Sequence, residues 1–262
     1  MRRSVFFIVA LLTLLPISAG AETAEEKGLA VAVEAGNRAK GFGDYTATLR
    51  MVLKNRNGQE SFRNMRIRTL EVAGDGDKSL SIFDDPKDVR GTALLTHAHK
   101  IGDDDQWLYL PALKRVKRIN SRNRSGSFMG SEFAYEDIVS REVEKYTHRW
   151  ITDELLGGRQ CHVIDSCPVD EKNTGYTRLR RWVDTAYYRI LKIEYYDRQD
   201  SLLKTLTVQD YRQYLEQYWY PDKMHMENHR TGKSTTLYWT EFRFRIGLRD
   251  ADFNQNSLKR AK

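Results

Sequence analysis

Two histidines, His97 and His99, share one face of a predicted strand and precede three aspartates, Asp103, Asp104 and Asp105. With a third ligand, this set could hold zinc or copper. The same pattern is typical of a solvated strand end that leads into an acidic turn, and we adopt that interpretation. The sequence therefore predicts no metal site here.

The other sets that could do chemistry fail on spacing. His225, Glu227 and His229 share a strand face, but the outer two would lie about 13 Å apart, too far for one metal ion. The segment Gly126-Ser127-Phe128-Met129-Gly130 places its serine one position too early for a nucleophile elbow. H-E-x-x-H, P-loop and paired-cysteine metal motifs are absent from the sequence. We predict that the protein is not an enzyme and uses no cofactor or metal.

The two cysteines, Cys161 and Cys167, bracket five residues that read as one strand. Extended backbone would hold their Cα atoms roughly 20 Å apart, whereas a disulfide needs about 7 Å or less. We expect free thiols, although an oxidising compartment favours a bond if the chain turns between them.

The stretch from Asp104 to Ile138 is predicted to combine a strand, a basic loop and an apolar loop. Pro111 ends the strand, and Ser125-Gly126-Ser127 separates the basic residues from Phe128, Met129 and Phe133. This combination suits an amphiphile with an anionic head and an apolar tail. It could also be a solvated surface beside a core segment. The basic residues that we predict to dock on anionic headgroups are Lys114, Arg115, Lys117, Arg118, Arg122 and Arg124.

The first 21 residues have the features of a cleaved export signal. Arg2 and Arg3 precede an apolar run that is shorter than the roughly 20 residues of a membrane span, and small residues end at Ala21. The remaining 241 residues carry 41 Lys and Arg against 36 Asp and Glu, a net charge of +5. We expect a periplasmic protein, cleaved after Ala21, that meets anionic membrane surfaces transiently and binds no nucleic acid.

The elements predicted for residues 22–262 form one mainly β domain with few helices. Thr23 to Lys40 predicts a helix that opens with a Thr23–Glu26 capping box and carries an apolar stripe of Leu29, Val33 and Val31. A short helix is predicted from Phe133 to Val139. Elsewhere, alternating residues and turns every eight to twelve residues predict antiparallel strands in a single large, strongly curved sheet.

Several motifs make the chain resemble the outer-membrane lipoprotein-sorting, LolA-like family, including its members associated with resistance-nodulation-division type transporters. The strongest are Trp107 to Pro111, Lys114 to Ile119, Phe128 to Ser131 and Tyr135 to Asp137. Weaker ones extend from Gly158 to Phe253. The resemblance implies an unclosed β-barrel with helices and an apolar cavity at its concave face. It also implies carriage of lipid or acylated protein across the periplasm.

Physical chemistry supports such a cavity. Each acyl methylene costs about 0.8 kcal/mol to leave in water, so a long chain needs an apolar host to cross an aqueous gap. Phe128, Met129 and Phe133 would form a mobile lid over the cavity. The residues of the lid and those of the predicted cavity wall could instead be ordinary core residues. The inward residues that we predict to line the cavity are Leu49, Met51, Leu53, Met65, Ile67, Leu80 and Ile82.

Two functions therefore remain after the sequence is read. The first is a periplasmic carrier that binds a lipid or the acyl chains of a lipoprotein and shuttles it between membranes, with an inner-membrane transporter as a partner. The second is an envelope sensor or adaptor that binds a membrane protein without carrying cargo. Co-purifying lipids would distinguish them.

Overall fold

Thirteen strands form one antiparallel sheet in the computed structural model, which describes residues 21–140 and 142–260. The predicted export signal therefore lies almost wholly outside the described residues. The strands are β1 Asp44–Lys54, β2 Glu60–Leu70, β3 Lys78–Asp85, β4 Ala93–His97, β5 Asp105–Leu110, β6 Arg115–Ile119, β7 Tyr146–Leu156, β8 Arg159–Pro168, β9 Tyr176–Asp184, β10 Ile190–Asp197, β11 Leu202–Tyr214, β12 Tyr218–Asn228 and β13 Lys233–Phe244.

The order of the strands is simple. Each strand pairs with its neighbour in sequence, except that β6 and β7 lie at opposite edges and β1 pairs with β13 in the middle. The chain therefore builds one half from β1 out to β6, crosses over, and builds the other half from β7 back to β13. The described part of the crossing segment, residues 120–140 and 142–145, packs on the face where apolar side chains of both halves meet. We call this the concave face, and the predicted unclosed, curved sheet is confirmed.

Both faces of β3 are apolar, and this corrects part of the predicted cavity. Met65 lies opposite Phe83, and Ile67 lies opposite Ser81, so Phe83 and Ser81 share their concave face. Leu80 and Ile82 point to the other side, where they pack with Phe253 and Leu258 of the C-terminal segment. That segment ends in the short helix α2, Gln255–Arg260. Leu80 and Ile82 thus belong to a second core on the convex face and do not line the cavity.

The N-terminal helix α1, Ala24–Arg38, begins with the predicted Thr23–Glu26 capping box. Two of the three residues of its predicted apolar stripe are wrong, because Leu29 is 48% exposed and Val33 is also exposed, whereas Val31 is buried as predicted. The helix instead buries Gly28, Val31 and Ala32 against β7 and β8. A side chain at residue 28 would meet the backbone nitrogen of Trp150 at 2.5 Å, so small residues allow the close approach.

Two further local predictions change in the structure. The basic residues from Arg115 to Ile119 form strand β6 rather than a loop, since they pair with β5. The predicted helix from Phe133 to Val139 is one 3₁₀ turn, Tyr135–Asp137.

Cys161 and Cys167 lie on the single strand β8 and are free thiols, as expected. In the described part of the chain, no helix is long and apolar enough to span a membrane.

Candidate functional site

A cavity of about 270 Å³ lies between the concave face and the crossing segment. We call residues 127–139 the lid, because they cover this cavity. Four of the predicted residues, Leu49, Met51, Met65 and Ile67, form its sheet wall, and Phe128 and Phe133 of the lid close it. Leu53 and Met129 are half-buried against the same core without lining the cavity.

A tight turn aims both lid phenylalanines into the core. Met129 and Gly130 have φ values of 52° and 77°, and the amide of Phe128 donates to the carbonyl of Phe133 at 2.7 Å. Phe128 and Phe133 are 2% and 3% exposed, and the Phe128 ring lies 5.7 Å from that of Phe83. The two phenylalanines of the lid are therefore part of the core, and their rings line the cavity.

A buried ion pair fastens the lid to the second half of the sheet. Lys204 on β11 donates to Asp137 at 2.5 Å and to the carbonyl of Glu132 at 3.0 Å. The side chains of Lys204 and Asp137 are only 4% and 1% exposed. Tyr176 on β9 donates its hydroxyl to the other oxygen of Asp137 at 2.9 Å. Burial and the nearby Asp137 carboxylate hold the pKa of Tyr176 well above its ordinary value, so this hydroxyl remains a donor.

Other polar contacts fix the lid to strands of both halves. Asn228 on β12 donates to the Glu132 carboxylate at 2.7 Å. The backbone amide before β9, at Gly175, donates to Glu136 at 3.0 Å. From the first half, Gln106 on β5 donates to the carbonyl of Tyr135 at 3.2 Å. Motion of the lid therefore requires breaking contacts on both sides of the cavity.

Sequence reasoning singled out Tyr135 to Asp137 but missed their partner Lys204. A signal for it exists, because Lys204 alternates in register with Leu206 and Val208, which are buried in the concave core. A lysine at an inward position of a strand needs a buried anion. That requirement predicts an acidic partner such as Asp137, although it does not say which of the acidic residues it is.

The six basic residues predicted to dock divide into two groups. Arg118 pairs with Asp105, and Arg124 pairs with Asp103 at 2.9 Å and with Asp104. Those two arginines therefore form ion pairs with the three consecutive aspartates, residues 103–105, the last of which begins β5. The other four are exposed and have no ion pair among the described residues: Lys114, Arg115, Lys117 and Arg122. We call these four the cationic set.

The predicted strand-end histidines are held by protein groups. His97 contacts the carbonyl oxygen of Phe253 at 2.7 Å, which joins β4 to the C-terminal segment. His99 contacts Asp75 at 2.9 Å and Asp105 at 3.4 Å, and these carboxylates raise its pKa. Within residues 21–140 and 142–260, no three His, Cys, Asp or Glu side chains are placed to hold a metal ion.

Comparison with known proteins assigns the family. A family model described only as that of an uncharacterized protein matches residues 75–260. A search of curated proteins finds no match. Among solved structures, a candidate outer membrane lipoprotein-sorting protein domain from Vibrio parahaemolyticus is 56% identical, with a TM-score of 0.88, over 90% of this chain and 99% of that one.

Two further structures agree with this match. A DUF1329 family protein from Desulfovibrio piger is 29% identical with a TM-score of 0.85, over 90% of this chain and 99% of that one. A LolA superfamily protein from Nitrosomonas europaea, 19% identical over 90% of this chain and 100% of that one, has a TM-score of 0.71 and shows the shared fold. The chain therefore belongs to the family of the outer membrane lipoprotein-sorting protein domain, and it shares its fold with the LolA superfamily protein.

Proposed function

We propose that this protein is a periplasmic carrier that binds a lipid, or the acyl chains of a lipoprotein, between the concave face and the lid. It acts by binding rather than by catalysis, and it moves its cargo between membranes. The observation that carries the proposal is the cavity whose apolar part is lined by the concave face and by Phe128 and Phe133. Membership of a family that includes a domain named for outer membrane lipoprotein sorting supports the same reading.

The size of the cavity favours a lid that moves on loading. At about 270 Å³ it is slightly smaller than the roughly 300–1,000 Å³ typical of ligand pockets. Phe128 and Phe133 project into the same space, so their withdrawal would enlarge it. Each methylene buried there contributes about 0.8 kcal/mol, and a long chain thereby offsets the cost of exposing or repacking two aromatic rings.

The cationic set supplies a docking surface in this proposal. The four residues lie on or beside the edge strand β6, in the part of the chain that leads into the lid: Lys114, Arg115, Lys117 and Arg122. Exposed lysines and arginines near a membrane are each attracted to anionic headgroups by about 1 kcal/mol. A membrane surface or an acidic face of an inner-membrane transporter of the resistance-nodulation-division type would both satisfy them.

The test is binding of a fluorescent fatty-acid probe to delipidated protein. We expect about one site per chain, and displacement by long acyl chains but not by short ones, because affinity grows with buried methylenes. The variant Leu237→Trp fills the cavity from β13 and should weaken binding at least tenfold. The matched control, Tyr238→Trp, changes the neighbouring outward residue and should bind as the parent does.

Two results would contradict the carrier. A parent protein that binds no probe would leave the adaptor that docks through the cationic set. Equal loss of binding in Leu237→Trp and Tyr238→Trp would show that the effect is not the filling of the cavity. Thermal unfolding of both variants measures whether the sheet tolerates the larger ring.

A further inference from the structure

A row of polar side chains crosses one end of the concave face. Tyr45 on β1 lies directly opposite Thr69 on β2, Thr69 opposite Ser79 on β3, and Ser79 opposite Thr96 on β4. Directly opposite residues in antiparallel strands share a face, so the four hydroxyl groups lie at one level. We call these four residues the hydroxyl row.

The hydroxyl row lines the same cavity as the apolar residues. All four of its members border the space that Leu49, Met51 and the lid phenylalanines also border. Thr69 is 7% exposed and Thr96 is 2% exposed, so neither hydroxyl is on the outer surface. Protein groups already contact part of the row, since Thr96 accepts from Gln106 at 3.4 Å and Tyr45 hydrogen-bonds Thr69. Each hydroxyl can both donate and accept, so the row keeps hydrogen-bonding capacity that an alkyl chain alone would leave unused. This cavity has a polar end and an apolar end.

Charges at the polar end are acidic. Asp77, which precedes β3, borders the cavity beside the hydroxyl row. Burial, together with the carboxylates of Glu142 and Glu71, raises the pKa of its carboxyl group to about 7, whereas Lys40 opposes them. Burial likewise raises the pKa of Tyr45 to about 12, so its hydroxyl keeps its proton. The described residues that line the cavity include no lysine or arginine, so an anionic head would have no cation to pair with there, whereas a neutral hydroxyl group could both donate and accept hydrogen bonds.

We propose that the ligand is a neutral amphiphile that bears hydroxyl groups next to its acyl chain, with the hydroxyls bound by the hydroxyl row. The inference rests on the proposed carrier function and specifies its ligand. The acyl chain lies along Leu49 and Met51, and the polar head lies against Thr69, Ser79 and Thr96. The free energy of one neutral hydrogen bond corresponds to roughly a three- to tenfold preference over an acyl chain without hydroxyls.

The experiment compares two neutral ligands with the same chain, monopalmitoylglycerol and methyl palmitate, as competitors of a bound fluorescent acyl probe. The parent protein should prefer monopalmitoylglycerol by roughly three- to tenfold. In Thr69→Val and Thr96→Val, which remove a hydroxyl and keep the shape of the side chain, the preference should fall towards one. Affinity for methyl palmitate should not fall.

The control and the contradictory outcomes are distinct. Thr240→Val removes an exposed hydroxyl from β13 and should leave the preference unchanged. Equal affinity of the parent for both ligands, or a preference that survives both substitutions, overturns the hydroxyl row as a recognition site while leaving a carrier of acyl chains. Failure of either ligand to displace the probe, or failure of the probe to bind, overturns the carrier and this inference together. Thermal unfolding identifies a variant that has lost its fold.

Discussion

Lys204 shows how one residue links the sheet to the lid. Its ammonium group is buried with Asp137, beside the rings of Tyr176 and Tyr195 at 5.3 and 5.1 Å. A buried charge pair adds little net stability over an apolar pair, but the loss of one partner leaves a charge that water cannot reach. The pair therefore fixes where the lid docks more than it strengthens the fold.

Replacing Lys204 with Met should lower the free energy of unfolding by about 3–5 kcal/mol, because Asp137 loses its ammonium partner. Urea denaturation measures the loss. The double variant Lys204→Met with Asp137→Asn removes both charges and should recover most of it. A loss below about 1 kcal/mol in the single variant would show that the pair is not a buried anchor of the lid.

His148 gives the fold a dependence on pH. Its Nε2–H donates to the carbonyl of Val143 at 3.1 Å, and its Nδ1 accepts from the hydroxyl of Ser166 at 2.9 Å, inside the sheet. Burial and the nearby Arg181 cation together lower the pKa of His148 to about 4. Between about pH 6.5 and pH 4 the unfolded chain binds a proton that the folded chain excludes, so acid favours unfolding.

We therefore expect the contribution of His148 to be fully present above about pH 6.5 and to be lost as the pH falls towards 4, by about 1–3 kcal/mol. The urea midpoint at pH 7 and at pH 4.5 measures it. His148→Gln should flatten this difference, whereas the exposed control His229→Gln should not. An equal acid dependence in parent and His148→Gln would assign the effect to other groups.

The edge strand β6 concentrates charge where the sheet is open. Its neighbour β5 has apolar residues on both faces, with Leu108 in the concave core and Trp107 in the convex one. On β6, by contrast, Arg115 and Lys117 are exposed. If the cationic set docks on anionic surfaces, neutralising its four members to Ser should weaken binding to phosphatidylglycerol vesicles by tenfold or more at low salt. The salt dependence of the remaining binding should also shrink.

A charge-matched control separates docking from net charge. Four other exposed cations can be changed to Ser with the same effect on total charge: Arg56, Lys87, Lys233 and Arg243. This control should bind the vesicles nearly as the parent does, and both variants should unfold close to the parent midpoint, because solvated substitutions cost under about 0.5 kcal/mol each. Equal weakening in the two variants would mean that only the overall charge matters.

The alternation of a strand with one buried face can be read from the sequence, whereas the orientation of a strand with two buried faces cannot. Buried and half-buried residues alternate along most of β10, Ile190–Asp197. In β3, Leu80, Ile82 and Phe83 are all buried, so alternation could not say which face held the cavity. In α1, the close approach to β7 buries Gly28 and Ala32 instead of larger residues, which a search for an apolar stripe overlooks.

Some residues of the candidate site could be predicted from the sequence, but their burial could not. Phe128 and Phe133 stand out as large apolar residues in a polar segment, and both close the cavity. Their burial makes them poor choices for a tolerated substitution. A Phe133→Ser change would remove core contacts worth about 3–5 kcal/mol, whereas Met129, half-buried at a positive φ, is the position where the lid can be altered. Burial of a loop depends on long-range packing, which local patterns do not contain.

At the scale of the whole molecule, the sheet joins two halves and the lid spans both. The first half supplies most of the sheet wall of the cavity and the hydroxyl row, whereas the second supplies Lys204, Tyr176 and Asn228. The site is therefore incomplete in either half. Its geometry depends on the pairing of β1 with β13, which among the described residues is the strand pairing that joins the halves.

That pairing also has a consequence for biosynthesis. Leu49 on β1 lies opposite Trp239 on β13, 190 positions later in the chain. A ribosome that adds about 5–20 residues per second needs on the order of ten seconds or more to cover that interval. During this time the edge of β1 that later pairs with β13 has no partner strand. Its apolar side chains also lack the contacts that the complete concave core and the lid later provide. The nascent chain therefore exposes one unpaired edge of β1 together with apolar side chains, which favours aggregation. A chaperone that binds β1 until translation is complete would reduce that aggregation.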